Sequence, residues 1–152
     1  MVTRGISTTG LDLAAELIKS FEGLRLMPYY CSGGKQTIGY GHVMQPYEQH
    51  YQQISPDIAE KLLEGDIAKT RNSLDKNCRV PLSPHQEAAL ISFIFNCGSG
   101  AFQSSSLRQK LNRGEYEMAA AELPKWVYSR GIKLAGLVRR RRAEQYLFLA
   151  GI

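Results

Sequence analysis

Residues 22–42 read EGLRLMPYYCSGGKQTIGYGH, and in this stretch the chain changes from a helical pattern to a strand pattern. Its apolar residues alternate with polar residues or glycines, and Ser32 to Gly34 have the composition of a turn. We therefore predict a small antiparallel sheet of two or three short strands. Gly39 and Gly41 would weaken a plain strand, so they indicate a bend or a close backbone approach.

Helical patterns flank this stretch on both sides. Thr9 and Asp12 form a capping-box pattern that predicts a helix over about residues 10–21. Ser55, followed by a proline, begins a second helical pattern over about residues 56–76. The second helix is the longest predicted and could join two lobes.

The rest of the chain is predicted to be helical. Ser83 and Gln86 form a second capping-box pattern, and the apolar helix that follows ends at the glycines from Gly98. Further helices are predicted over about residues 105–112, 115–123 and 134–149.

These elements predict an α+β fold made of two unequal lobes. The small lobe, with the sheet, covers about residues 22–54, and the larger helical lobe covers about residues 56–152. The helix over residues 10–21 packs on the helical lobe, and residues 1–152 form a single domain. A cleft between two such lobes is the default position for a functional site.

Composition limits the classes of function without choosing one. The chain has 43% hydrophobic and 22% charged residues, which is ordinary for a globular protein. With 19 Lys and Arg against 14 Asp and Glu, its net charge of +5 favours anionic partners. No stretch approaches the roughly 20 apolar residues of a membrane span. Residues 1–7 lack the apolar run of a secretory signal, so we expect synthesis in the cytoplasm and no membrane insertion.

The three cysteines, Cys31, Cys78 and Cys97, have no spacing typical of a metal site or a disulfide framework. We predict free thiols and neither a metal nor a cofactor. Cys97 lies in an apolar run and is expected in the core, whereas Cys31 lies among turn residues and is expected to be accessible.

Three side chains in the opening stretch could carry out a reaction. Eight residues separate Glu22 from Cys31, and five separate Cys31 from Thr37. Glu22 lies at the end of the first helix, beside its buried face, and burial of a carboxyl favours the protonated form. Bond cleavage needs a proton donor on one side and a water molecule or nucleophile on the other. Glu22 could be the donor, and Cys31 and Thr37 could serve the other side.

The order of these residues and of several later segments resembles phage-type lysozymes, the endolysins of the T4 lysozyme superfamily. The resemblance begins at residues 18–26 and includes Tyr29 and residues 37–42. It continues through residues 82–90 and 92–98, Trp126, residues 136–137, and Arg139 to Arg142 followed by Glu144. It therefore extends over nearly the whole chain.

The resemblance implies an enzyme that cleaves the β-1,4 bond between N-acetylmuramic acid and N-acetylglucosamine in peptidoglycan. It places Glu22 on the catalytic acid, Cys31 where the best-known members have aspartate, and Thr37 on the third catalytic-site residue. A cysteine could attack the sugar as thiolate, act as a base, or position water as a thiol. Whether the anomeric configuration is inverted or retained depends on a distance that the sequence does not give.

The resemblance also implies supporting residues. One arginine of the run Arg139, Arg140, Arg141 and Arg142 is expected to contact Glu22, and two or three of the four are expected to form a solvated basic face. His42 is expected to pair with Asp66 of the helix between the lobes. The residues expected to line the sugar-binding cleft are Tyr40, Phe95, Asn96 and Ser106, although Phe95 and Trp126 also fit a core.

Other functions are compatible with parts of the sequence. A cysteine hydrolase would pair Cys31 with His42 or His85. A basic module that binds nucleic acid or cell wall without catalysis would use the positive charge. A lytic transglycosylase would form a 1,6-anhydro product, and an inactive relative would follow from the missing aspartate at Cys31.

The lysozyme interpretation carries expectations about partners and location. We expect a monomer that acts on peptidoglycan glycan strands and binds no nucleic acid. The family implies that the enzyme reaches the wall through a membrane opening made by a separate protein.

Overall fold

The computed structural model describes residues 9–152. The helices are α1 (Gly10–Glu22), α2 (Pro56–Asn77), α3 (Pro84–Cys97), α4 (Ser99–Gln103), α5 (Ser106–Asn112), α6 (Tyr116–Glu122) and α7 (Ala135–Ala150). The strands are β1 (Arg25–Tyr30), β2 (Gln36–Gly39), β3 (His42–Val43), β4 (Tyr128–Ser129) and β5 (Ile132–Lys133). The expectation of a missing secretory signal rests on residues 1–7, which lie outside the described residues. Within residues 9–152, no helix combines the length and the apolar character that crossing a bilayer requires.

The first helix has the boundaries that its sequence predicts. The Thr9 hydroxyl accepts a hydrogen bond from the Asp12 amide at 3.2 Å, and the Asp12 carboxylate accepts one from the Thr9 amide at 3.2 Å. The helix ends at Glu22, because Gly23 adopts a φ of +69° that favours glycine. The capping box and the terminal glycine thus fix Glu22 as the last helical residue.

The second and third helices are also capped as predicted. Ser55 accepts a hydrogen bond from the Ile58 amide at 3.2 Å, and Ser83 accepts one from the Gln86 amide at 3.2 Å. Helix α3 ends at Cys97, before Gly98 with a φ of +96°. The short helix α4 was not predicted. It begins at Ser99, directly after Gly98, within the glycine-rich segment.

The predicted antiparallel sheet is confirmed, with three strands in the order β1-β2-β3. Tyr29 pairs with Thr37, and Thr37 pairs with Val43 on the third strand. The β4–β5 hairpin was not predicted, because each strand has only two residues and gives no readable alternation. The α+β prediction, with a small sheet lobe and a larger helical lobe joined by α2, is confirmed.

Two apolar clusters form the interior. Helix α3 is central to the larger one, with eight of its 14 residues buried, and α1, α2 and α7 pack on it. The smaller cluster lies under the sheet and consists of Ile38, Met44, Ile54 and Ala59. Tyr40 packs against both clusters, so it connects the sheet to the helical lobe.

A buried histidine ties the sheet to the inter-lobe helix. His42 Nδ1 lies 2.8 Å from Asp66 Oδ2 on α2, as the family resemblance implied. Its Nε2 lies 2.9 Å from Glu48 Oε1, a partner that the sequence did not predict. Glu48 also accepts a hydrogen bond from the Gln45 amide at 2.7 Å. Because both ring nitrogens face carboxylates, the site suits the protonated imidazolium.

The pKa values of this cluster are shifted in opposite directions. Burial lowers the pKa of His42, but hydrogen bonds and charges from Asp66 and Glu48 outweigh burial and raise it above its ordinary value. Burial raises the pKa of Glu48, but the Gln45 amide and His42 outweigh it and lower that pKa. The pair therefore stabilises the fold most when His42 is charged and Glu48 is ionised.

We expect His42→Gln to lower the free energy of unfolding by about 3 kcal/mol near pH 6 and by clearly less near pH 9. The contribution of His42 is fully present below its unfolded pKa and is lost as pH rises through the raised folded value. The contribution of Glu48 is present above its unfolded pKa and is lost as pH falls through the lowered folded value. Urea unfolding of both proteins at the two pH values measures the difference.

His50→Gln serves as the matched control, because His50 is exposed and not part of this cluster. It should change the unfolding free energy little at either pH. An equal loss for His42→Gln at pH 6 and pH 9 would show that the charged pair is not the source of the stabilisation.

Candidate active site

Glu22 lies where the helical and sheet lobes meet. As the last residue of α1, it is carried by a helix that packs on α3, and its side chain is 21% exposed. Arg140 on α7 donates a hydrogen bond from Nη1 to Glu22 Oε2 at 2.6 Å. The carboxylate is therefore held from the helical side by a cation that lies 118 residues further along the chain.

The turn between β2 and β3 holds the same carboxyl group from the sheet side. A methyl group on Gly41 would lie 2.6 Å from Glu22 Oε1, so only glycine leaves room at this position. Gly41 also has a φ of +71°, which favours glycine. The predicted close backbone approach is thus found at Gly41, and its neighbour is Glu22.

The arginine run divides into two buried and two exposed side chains. Arg140 contacts Glu22, and Arg141 forms an ion pair with Glu144 at 2.6 Å. Arg139 and Arg142 are exposed, as expected for a solvated basic face. Glu144 is fully buried and also accepts a hydrogen bond from the Ser92 hydroxyl at 2.6 Å. Two buried cations therefore meet two carboxylates, Glu22 and Glu144.

Cys31 and Thr37 lie together at the β1–β2 turn. The Cys31 amide donates to the Lys35 carbonyl at 3.0 Å, and the Gly34 amide donates to the Cys31 carbonyl at 2.8 Å. Thr37 is buried, and its hydroxyl donates to the Lys35 carbonyl at 2.8 Å. The tight turn predicted at Ser32 to Gly34 thus brings the thiol and the hydroxyl next to each other.

The surroundings of Cys31 favour its thiolate. Burial raises the pKa of the thiol, but hydrogen bonds from the Lys35 amide, the Thr37 hydroxyl and the Gly33 amide outweigh burial and lower that pKa. The Thr37 hydroxyl has one proton, so it donates a hydrogen bond either to the Lys35 carbonyl or to the Cys31 sulfur. Formation of the thiolate draws this proton towards the sulfur.

A cleft of about 540 Å³ runs between the two lobes. Its sheet-side wall consists of Glu22, Tyr29, Cys31, Ser32, Gly33, Lys35, Thr37, Gly41 and Val43. Its helical wall consists of Phe95, Asn96, Cys97, Gly98, Trp126, Tyr128, Ser129, Leu134, Leu137 and Arg141. The mixture of aromatic, apolar and polar groups suits a ligand with both ring faces and hydroxyl or amide groups.

The structure brings most of the predicted site residues into this cleft. Glu22, Cys31 and Thr37 line it, together with Phe95 and Asn96. Two predicted lining residues lie elsewhere. The ring of Tyr40 packs between the apolar clusters with the Lys19 ammonium 5.3 Å from its centroid. Ser106, at the first position of α5, is exposed and does not line the cleft.

Arg141 fixes the orientation of the Asn96 side chain. Its Nη2 donates to Asn96 Oδ1 at 2.8 Å, and its Nη1 donates to Cys97 Sγ at 2.8 Å. The amide oxygen of Asn96 is thus engaged, whereas no hydrogen bond within residues 9–152 occupies its NH₂ group, and the residue is exposed and lines the cleft. The cleft wall therefore offers a hydrogen-bond donor at this point.

Several cleft residues were missed or assigned to the core in the sequence. Cys97 is half-buried, and Trp126 packs edge-on against Phe93 at a centroid distance of 5.3 Å while also lining the cleft. Tyr128 and Ser129 reach the cleft on the β4–β5 hairpin. Arg130-Gly131 is not one of the residue pairs that mark a two-residue hairpin turn, so this hairpin had no readable signal in the sequence.

Among residues 9–152, no three histidine, cysteine, aspartate or glutamate side chains are grouped so that they could hold a metal ion.

Comparison with known sequences identifies the family. The profile of the family described as phage lysozyme matches residues 19–144. The endolysin of Acyrthosiphon pisum secondary endosymbiont phage 1 is 42% identical over 87% of this chain and 92% of its own length. The endolysin of Bacillus phage B103 is 43% identical over 96% of this chain, which spans 54% of that longer protein.

Solved structures agree with this assignment. The muramidase domain of SpmX from Asticaccaulis excentricus is 35% identical with a TM-score of 0.80, covering 90% of this chain and 94% of that domain. The active form of the P1 phage endolysin Lyz is 25% identical with a TM-score of 0.83, covering 97% of this chain and 88% of that one. The chain therefore belongs to the phage lysozyme family and is a lysozyme-type peptidoglycan hydrolase, a glycosidase.

Proposed function

We propose that Glu22 is the general acid that protonates the bridging oxygen of the β-1,4 bond between N-acetylmuramic acid and N-acetylglucosamine. Cys31 and Thr37 act on the other side of that bond, where water attacks the anomeric carbon. Cleavage of a glycosidic bond requires both a proton for the leaving oxygen and stabilisation of an oxocarbenium-like centre. These three side chains supply both functions.

One observation carries this proposal: Glu22 is clamped at the junction of the lobes, in the same cleft as Cys31 and Thr37. The clamp consists of Arg140 on one side and the Gly41 backbone on the other. An acid that is held in one orientation loses little freedom when it transfers its proton, and this lowers the barrier.

Arg140 does not contact Glu22 alone, because its Nε also lies 3.4 Å from Glu144 Oε2. Glu22 lies at the carboxyl end of α1, where the helix dipole is negative. A sugar chain that fills the cleft would exclude water and strengthen the electrostatic interactions around the acid.

Cys31 is proposed to work as a thiolate. Its lowered pKa increases the ionised fraction near neutral pH, and the thiolate takes the negative position that a carboxylate would occupy. The Thr37 hydroxyl, beside it, can hold the attacking water. We infer that the products carry reducing ends formed with water, and a 1,6-anhydro end would instead identify a transglycosylase.

The helical wall is proposed to bind the sugars. The NH₂ group of Asn96, oriented by Arg141, can donate to the carbonyl of an N-acetyl group, and Phe95 can pack on a sugar face. Tyr40 and Ser106 are not part of this proposal because they lie outside the cleft wall.

The cysteine-hydrolase alternative is not favoured by the geometry. Both ring nitrogens of His42 are engaged by Asp66 and Glu48, so His42 has no free nitrogen with which to activate Cys31. His85 is exposed at the start of α3 and does not line the cleft.

We further propose that the enzyme acts as a monomer and does not require nucleic acid. It is made in the host cytoplasm and reaches the cell wall through an opening made by a separate protein. The relatives named endolysin support the wall as the place of action.

Glu22→Gln tests the acid role. We expect kcat on purified peptidoglycan to fall about 10³-fold, with KM changed little, because glutamine keeps the shape but has no acidic proton. The loss of turbidity of a peptidoglycan suspension and the release of reducing ends measure the rate.

Glu16→Gln is the matched control, because Glu16 is an exposed carboxylate on the same helix. It should retain the wild-type rate. A Glu22→Gln protein that keeps more than a tenth of the activity would rule out Glu22 as the acid, and a His42→Ala protein that loses more than Glu22→Gln would favour the cysteine hydrolase.

The pH dependence of the rate tests the thiolate role of Cys31. Because the thiolate fraction grows as pH rises through the pKa, the wild-type rate should rise with pH through the lowered pKa of Cys31. Cys31→Asp should remain active with this rising limb moved to lower pH, since a carboxyl has an ordinary pKa of about 4. Cys31→Ser should lose activity about 100-fold, and a profile of kcat/KM between pH 4 and pH 9 measures all three proteins.

Cys78→Ser controls for the loss of a thiol, because Cys78 lies outside the cleft wall. Its profile should match that of the wild type. If Cys31→Ser kept full activity with an unmoved limb, Cys31 would have no catalytic part.

A further inference from the structure

Arg130 occupies a backbone conformation that arginine seldom adopts. It lies at the first position of the two-residue turn between β4 and β5, with a φ of +52°, and Gly131 follows with a φ of +78°. Among residues 9–152 it is the one non-glycine residue with a positive φ. Turns of this type favour asparagine, aspartate or glycine at the first position. Strain of this kind is frequent at functional sites.

The side chain of Arg130 reaches from the helical wall of the cleft to the sheet-side wall. A methyl group added to Gly34 would lie 3.6 Å from Arg130 Nη2, so the guanidinium lies beside the β1–β2 turn, with room for about one methyl group between them. Its neighbour Ser129 lines one wall of the cleft, and Gly33 and Lys35 line the other. Arg130 therefore lies at the rim of the cleft, where the two hairpin turns approach each other.

This rim carries positive charge without a counter-charge. Lys35, next to Gly34, lines the cleft, and its side chain is exposed. Within residues 9–152, neither Lys35 nor Arg130 forms an ion pair with a carboxylate. Two uncompensated cations on facing turns create a positive potential at the cleft entrance, and this attracts an anionic group.

We propose that Arg130 and Lys35 form a carboxylate-binding site at the cleft rim, which holds a carboxylate of the stem peptide attached to the glycan strand in the cleft. This inference rests on the proposed cleavage of peptidoglycan in the same cleft. The N-acetylated sugars carry no charge at the bond itself, whereas the stem peptides carry carboxylates. A guanidinium binds a carboxylate through two parallel hydrogen bonds, and this explains why an arginine is kept at a strained turn position.

The position of Arg130 beside Gly34 could instead serve only to hold the two turns together. Arg130→Asn separates the two explanations, because asparagine suits the positive φ and should leave the hairpin as stable as before or more stable. A fastening role predicts lower stability, whereas a binding role predicts weaker binding with stability unchanged or higher.

The experiment compares one substrate in two chemical forms. Soluble glycan strands with stem peptides, stripped of phosphodiester polymers, are used with free carboxyls and after conversion of the carboxyls to amides. For Arg130→Asn and Lys35→Gln we expect KM on the free-carboxyl strands to rise about fivefold, with kcat within twofold of wild type. On the amidated strands the variants and the wild type should have the same KM.

Arg79→Asn is the matched control, because it removes the same charge from an exposed loop residue outside the cleft wall. It should leave KM unchanged on both substrates. Thermal unfolding of all variants is measured in parallel, and the Tm of Arg130→Asn should not fall.

Three results would overturn the proposal. These are an unchanged KM for Arg130→Asn on the free-carboxyl strands, an equal rise in KM on the amidated strands, or a rise found only when phosphodiester polymers are left attached. Failure of the proposed catalytic roles gives a different pattern, since Glu22→Gln would then keep its turnover on both substrates. The carboxylate-dependent change in KM does not depend on that result.

Discussion

The ion pair between Arg140 and Glu22 is the contact on which the site depends. It joins the end of α1 to α7, and both helices pack on the buried helix α3. Glu144 and Ser92 complete the surroundings of the two buried arginines, so that charge is balanced inside the helical lobe. Buried charges without such partners would be strongly destabilising. The same network therefore stabilises the fold and orients the Glu22 carboxyl.

A second set of contacts fixes the sheet to the helices. His42 bridges Asp66 and Glu48, and Tyr40 packs between the two apolar clusters. Between these residues lies Gly41, where the Glu22 carboxyl leaves no room for a side chain. Residues 40–42 thus hold the lobes together and also border the Glu22 carboxyl. A change in how the lobes meet would move the backbone that confines Glu22.

The sequence predicted the features that depend on neighbouring residues. The capping boxes at Thr9 and Ser83, the turn after Cys31 and the close approach at Gly41 follow from side chains a few positions apart or from a single glycine. Partners distant in the chain could not be derived in this way. Successive residues on a helix point about 100° apart, so which arginine meets Glu22 depends on how α7 is rotated against α3. The three proposed catalytic residues were predicted from their spacing and from the family resemblance, whereas the hairpin at Arg130 was too short to detect.

The great sequence distance within the Glu22–Arg140 pair has a consequence for biosynthesis. Residues 22–42 leave the ribosome early and contain all three proposed catalytic side chains, but the cation that orients the acid is made nearly last. A nascent or interrupted chain that stops before residue 140 carries the reactive groups without the means to align them. A fragment that ends before residue 140 therefore lacks the arginine that holds Glu22, and we expect such a fragment to be inactive on peptidoglycan.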